Sequence, residues 1–307
     1  MSIFKQYLND YLLACEFELR PVTVAWYGRM LRPLCDWLDR AGVVVPTVGD
    51  LRRARVDLLR EDYSQTTKRD YVRMWRQFFR WLMVEGFLAE DPSARIRLPA
   101  KPSTQPHYLV DREVNQLLGW ALAHGSPRDY ALLTFLISTG ARRRGLVGLD
   151  VGQVDFFGGR AYVVEKGEKT RAVYLAPVAL NALRVYLDTR GKLGDDAPVF
   201  VSARGARMHP DSVSHIVSKL GKRAGLQMKL GPHLLRHTFA RLYLLNGGDL
   251  ATLSQMLGHA DVSITVEYYG RFADEELRRK HAAHNPLASM SVPVSVTELT
   301  ELTSVDF

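Results

Sequence analysis

Apolar positions recur every three to four residues through most of the first ninety, the spacing that gathers them on one side of a helix. The pattern predicts helices over 2–17 and 21–41, the second with Tyr27, Met30, Leu31, Leu34, Trp37 and Leu38 along one stripe, and a short helix after Thr47. A further helix is predicted from about Thr66 to Glu85, where Val72, Trp75, Phe79 and Leu82 face a core. Its second stripe is Arg69, Arg73, Arg76 and Arg80. A solvated face mixes charge signs, yet Asp70 is the only acid between Arg69 and Arg80, so this stripe is expected to lie along a DNA backbone.

The pattern breaks near residue 100. Pro92, Pro99, Pro102 and Pro106, set among Ser, Thr, Lys and Arg, favour an extended connection, so the expected division is a helical domain over 1–91, a linker over 92–106 and a second domain over 107–285. Past the linker, Asp111 is expected to cap a helix, and Asp129 to Thr139 reads as a strongly apolar helix closed by Gly140. The period then drops to two. Val154–Phe157, Arg160–Glu165 and Thr170–Leu175 read as strands joined through Gly158-Gly159 and through the turn Lys166-Gly167-Glu168-Lys169, a three-stranded antiparallel meander. Helices resume at Pro177. The fold class is therefore mainly α with a small antiparallel sheet, in two domains. In the tail over 286–307, Val296, Leu299, Leu302 and Val305 form a short amphipathic stripe.

Charge narrows the partner. Lys and Arg outnumber Asp and Glu by 41 to 33 for a formal charge of +8, with a pI near 9.5, which favours a polyanion. Cys15 and Cys35 sit in apolar helical patterns and read as small core residues of a cytoplasmic protein, neither nucleophile nor metal ligand. Lys5, Asp10, Glu16 and Glu18 interrupt the start, so no signal peptide is expected there, and no run reaches the length of a membrane span.

The second half carries the candidate chemistry in a fixed order. Arg142 follows Thr139-Gly140-Ala141, where a glycine ending a buried helix turns an arginine out of the core. Lys166 stands in the hairpin turn on a flexible stem. Gly231-Pro232-His233-Leu234-Leu235-Arg236-His237 places proline at a first helical position and sets His233 and Arg236 on one face near a positive helix end. His259 follows Gly258, which ends another helix, and Tyr268 comes nine positions later on a short helix expected over 261–270. A phosphodiester repels nucleophiles, so an enzyme that cuts one without a metal ion needs fixed cations for the transition state and a proton donor for the leaving oxygen. Arg142, Lys166, His233, Arg236, His259 and Tyr268 supply such a set, with no metal or nucleotide cofactor called for. Lys169 and Tyr269 are the alternative lysine and tyrosine.

In this order the motifs resemble the tyrosine recombinases of the phage integrase and Xer type, and the resemblance spans nearly the full chain. It implies that Tyr268 attacks the scissile phosphate to form a 3′-phosphotyrosyl link, that Arg142 and Arg236 clamp the nonbridging oxygens, and that Lys166 protonates the leaving 5′ oxygen. It further implies that His233 takes the proton of the nucleophile and that His259 hydrogen-bonds the phosphate. The implied partner is double-stranded DNA with a specific target site, bound by a homotetramer that passes through a Holliday junction, with the tail docked on a neighbouring protomer. The lack of an added N-terminal arm-binding segment points to a simple-site, Xer-like enzyme. One position departs from the pattern: Gly145 stands where an acid usually orients the first arginine. A non-catalytic DNA-binding protein and a type IB topoisomerase-like relaxer are the alternatives.

Overall fold

The computed structural model describes residues 3–59, 62–100, 107–164 and 170–258, together with 261–263, 265, 266, 268–270, 278, 281 and 282. The chain divides into two compact units, Met1–Thr104 and Gln105–Phe307.

The first unit is built from α1 (Ile3–Glu16), α2 (Pro21–Arg40), α3 (Val48–Leu58) and α4 (Gln65–Val84). Side chains at the helix starts fix the boundaries. Thr47 and Asp50 form a reciprocal capping box at α3, and the Ser64 hydroxyl accepts from the Thr67 amide at α4, which satisfies amides the helix itself leaves unpaired. The core joins Phe4 of α1, Leu31, Leu34 and Leu38 of α2, and Trp75, Phe78, Phe79 and Leu82 of α4, all essentially inaccessible. Truncating Trp75 or Phe79 to alanine there costs about 3–5 kcal/mol. Residues 92–100 pack against this core instead of running free: Ile96 is buried, Leu98 lies on the cluster, Ser93 Oγ donates to Asp91, and Arg69 Nη1 donates to the Pro99 carbonyl at 2.6 Å.

In the second unit, α5 (Asp111–His124), α6 (Pro127–Thr139) and the short α7 (Arg143–Val147) precede a sheet of β1 (Val154–Asp155), β2 (Arg160–Val164) and β3 (Thr170–Tyr174). Then follow α8 (Pro177–Asp188), α9 (Pro210–Arg223), α10 (Pro232–Leu245) and α11 (Leu250–Leu257). The sheet order is β1-β2-β3, antiparallel throughout, with Val154 opposite Ala161 and Val163 opposite Arg171. Ala161 and Val163 point into the core and their neighbours point out, the alternation of a half-buried strand. Helix α6 is buried on nearly every side, from Ala131 to Leu136, because α5, α8 and α10 surround it.

The helix expected to be capped by Asp111 begins one residue earlier. Val110 is the cap and Asp111 the first helical residue, because Glu113 reaches back to accept from the Val110 amide at 3.0 Å. Asp111 then favours the positive helix end by charge alone. The Leu109 amide donates to Thr238 Oγ1 at 2.9 Å in a buried contact, pinning the start of this unit to α10. No helix among the described residues is long and apolar enough to cross a membrane. Cys35 is buried and Cys15 half-buried, both as free thiols.

Candidate active site

Two glycines and two arginines organise the centre of the second unit. Gly140 ends α6 in the left-handed conformation at φ 59°, and a Cβ there would stand 2.4 Å from the Phe239 ring, so only glycine fits. Gly258 ends α11 the same way at φ 63°, with a Cβ position 2.9 Å from the Cδ and Nε of Arg171. Between these ends lies Arg236 of α10, 6% exposed. Its Nη1 donates to the Gly140 carbonyl at 2.7 Å and its Nη2 to the Leu257 carbonyl at 2.6 Å. Arg171 of β3 donates through Nη1 to the adjacent Met256 carbonyl. One guanidinium thus ties the turn before Arg142 to the turn before His259, and a second ties β3 to that same helix end.

Arg142 is half-buried at the start of α7, where the chain leaves Gly140. Arg142 and Arg171 are close enough to depress Arg236, and Arg171 depresses Arg142. Burial, then Arg142 and Arg171, push Arg236 down to about 9. Burial pushes Arg171 down to about 10, and burial followed by Arg171 lowers Arg142. All three stay charged at neutral pH. An anion placed beside Arg236 and Arg142 offsets the repulsion between them, and the paired N–H groups of a guanidinium match a phosphate edge.

Arg142 and Arg236 open onto a pocket of about 300 Å³ that Ala141, Arg143, Arg144, Gly145, Pro232 and His233 also line. Pro232 and His233 form the first turn of α10, so its amides also face the pocket region with positive potential. Burial, then Arg236, Arg143 and Arg142, lower His233 below the ordinary histidine value, so its imidazole is neutral at pH 7 and able to accept a proton. Arg143 Nη1 is held by Asp211 at 2.7 Å and by Ser214 Oγ at 3.0 Å. Gly145, standing in place of the usual acid, is buried at the pocket wall, and a Cβ there would lie 3.2 Å from Val163 Cβ. The close approach of α7 to β2 leaves little room for a side chain.

The two tyrosines separate. Tyr268 is 44% exposed and Tyr269 only 2%. Tyr269 packs with Phe239, Leu244, Leu253 and Leu257, and its hydroxyl lies 2.5 Å from His237 Nδ1. Burial raises Tyr269 to about 12. Lys166, its alternative Lys169, His259 and the tail over 286–307 lie outside the described residues. Of the six residues singled out from the sequence, Arg142, His233 and Arg236 meet around the pocket, and Tyr268 stands beside His237, ring centroids 6.1 Å apart. Arg171 was not singled out. The available signal was strand parity, for Arg171 shares its face with the buried Val173 and Leu175, and an arginine on an inward-facing strand position requires a reason.

In the first unit, Arg73, Arg76 and Arg80 line one groove with Gln77 and Leu98. Arg69, in the same stripe, stands apart from the groove with its Nη1 on Pro99.

Comparison with known proteins agrees with this geometry. Residues 107–276 match the phage integrase family. The chain is 34% identical over 271 residues to the tyrosine recombinase XerC of Alcanivorax borkumensis, spanning 86% of this chain and 88% of that one. It is 33% identical over 296 residues to the tyrosine recombinase XerD of Proteus mirabilis, spanning 92% and 93%. Its fold matches a crystal structure of the XerH site-specific recombinase bound to a palindromic difH substrate, with a TM-score of 0.72 and 20% identity over 86% of this chain and 80% of that one. The buried arginines, the helix-end glycines that hold them and the exposed tyrosine beyond α11 are thus features of a chain that belongs to the tyrosine recombinases of the phage integrase family.

Proposed function

We propose that this chain is a site-specific DNA recombinase that cuts and rejoins duplex DNA through a covalent tyrosine intermediate. The observation that carries the reading is the meeting of Arg142, His233 and Arg236 around one pocket, inside the family-matched residues. In this reading Arg142 and Arg236 take the nonbridging oxygens of the scissile phosphate, and neutral His233 accepts the hydroxyl proton of Tyr268. The tyrosine oxygen bonds to phosphorus as the bond to the 5′ oxygen breaks, leaving a 3′-phosphotyrosyl link. Lys166 gives its proton to the departing 5′ oxygen and His259 hydrogen-bonds the phosphate, roles that rest on their place in the sequence motifs. Because the phosphoryl bond is exchanged and not hydrolysed, a second 5′ hydroxyl reverses the step, and no nucleotide is consumed.

The helical domain over 1–91 holds the duplex through the Arg73, Arg76 and Arg80 groove, with Arg69 at its margin. The residues after it join it to a catalytic domain over 107–285. Four copies assemble on paired sites, exchange strands through a Holliday junction, and dock the tail over 286–307 on a neighbour. The free thiols fit a cytoplasmic protein.

The test works without a known target site. Protein is incubated with sheared genomic DNA, washed in denaturing detergent, and the DNA that stays attached is sequenced, with Tyr268→Phe in parallel. The expected result is one recurring sequence in the natural protein and none in the variant. Scattered sequences would instead indicate a DNA relaxer, and tight binding without attachment a non-catalytic DNA-binding protein.

A further inference from the structure

We infer that the hydrogen bond between Tyr269 and His237 is a latch that positions the neighbouring Tyr268 for attack, an inference that rests on Tyr268 being the nucleophile. His237 directly follows Arg236 on α10, and Tyr269 directly follows Tyr268. The latch therefore joins the helix that carries the phosphate-binding arginine to the segment that carries the tyrosine. Adjacent residues of a helical turn point about 100° apart, so fixing the direction of Tyr269 fixes that of Tyr268.

Burial of the Tyr269 ring among Phe239, Leu244, Leu253 and Leu257 holds the segment against α10 and α11. The bond from its hydroxyl to His237 adds a second fixed point at the far end of the ring, which sets the direction of the side chain. The hydroxyl lies 2.5 Å from Nδ1, and the imidazole ring stands 5.7 Å from Tyr269 and 6.1 Å from Tyr268, centroid to centroid. Burial above all, with His233 and Arg236 close by, holds His237 near 4, so the imidazole is neutral, and burial keeps the Tyr269 hydroxyl protonated; a neutral pair of this kind shares one proton in a hydrogen bond. In this proposal Tyr269 and His237 are positioning residues that act through Tyr268, against whose ring both lie.

The test uses the full chain with Tyr269→Phe, His237→Leu, the double variant, and His237→Asn, whose side-chain oxygen takes the place of Nδ1. Two quantities are measured: the rate of covalent attachment to sheared genomic DNA, and hydrogen exchange of the peptide containing Tyr268 in the DNA-free protein. Losing one such bond is expected to slow attachment about fivefold and to raise exchange over 262–270 by a similar factor. The double variant should be no worse than either single one, His237→Asn should recover the rate, and neither DNA affinity nor exchange in the rest of α10 should move. Unchanged exchange and attachment in Tyr269→Phe would overturn the latch while leaving Tyr268 as nucleophile. Attachment that survives Tyr268→Phe and vanishes in Tyr269→Phe would overturn both, since Tyr269 would then be the nucleophile itself. Exchange that rises throughout α10 and α11 would reduce the pair to a general packing contact and also overturn the latch.

Discussion

Gly140 and Gly258 share a backbone conformation but not a neighbour, so the same substitution at each should damage different properties. Alanine at either position meets the left-handed cost of about 1 kcal/mol. At Gly140 the new methyl falls 2.4 Å from Phe239 Cδ1 and 3.1 Å from two further ring atoms. That ring is buried against Tyr243 and the small core of α10 and α11, so it has nowhere to retreat, and overpacking adds about 1–3 kcal/mol. The total for Gly140→Ala is roughly 2–4 kcal/mol. At Gly258 the methyl meets Arg171 at Cδ and Nε, a stem that can swing aside at the expense of its bond to the Met256 carbonyl, so stability falls by about 2 kcal/mol, half from the backbone and half from the lost bond. The swing removes one guanidinium from beside Arg142 and Arg236, and loss of an oriented cation slows attachment about tenfold or more. Urea titration read through hydrogen-exchange protection of α6, with single-turnover covalent attachment to DNA, separates the two effects. A greater loss of stability at Gly258 than at Gly140, or full attachment rates in a well-folded Gly258→Ala, would refute the reasoning from neighbours.

Other consequences are equally open to measurement. Since each phosphate contact contributes about −0.9 to the salt slope of DNA binding, Arg73→Ala, Arg76→Ala and Arg80→Ala should each lower that slope by about one; Arg69→Ala should change it less, because Arg69 is held by Pro99. In the proposed mechanism His233 accepts a proton only when neutral, and its lowering from 6.5 places the acidic limb of the attachment rate below that pH. Arg143→Ala removes one of the depressing charges, so the limb should move upward in a pH–rate profile. Gly145→Glu should lower stability by about 1–3 kcal/mol, and a Val163→Ala background should reduce that loss in a denaturant double-mutant cycle, because Val163 is the atom group in the way.

The helices, the meander and the glycine-ended turns could be read from the sequence because their causes are local. Periodicity, a proline in the first helical turn and a glycine after the last act within a few residues of where they stand. The candidates Arg142, His233 and Arg236, which meet around one pocket, were legible for the same reason. What the sequence by itself did not decide was side-chain direction wherever a distant segment sets it. Tyr268 and Tyr269 are equivalent in composition and spacing, and only the core formed by α10 and α11 turns one inward and leaves the other exposed. Arg171 reads as an ordinary strand residue until the end of α11, some 85 residues later, brings the Met256 carbonyl to it. Gly145 reads as a missing acid, and the contact with Val163 of β2 reveals why a side chain is crowded there. Local propensity belongs to the sequence; the direction in which a side chain points belongs to the packing of segments far apart in the chain, and in this protein that packing determines which tyrosine is exposed and which cations cluster.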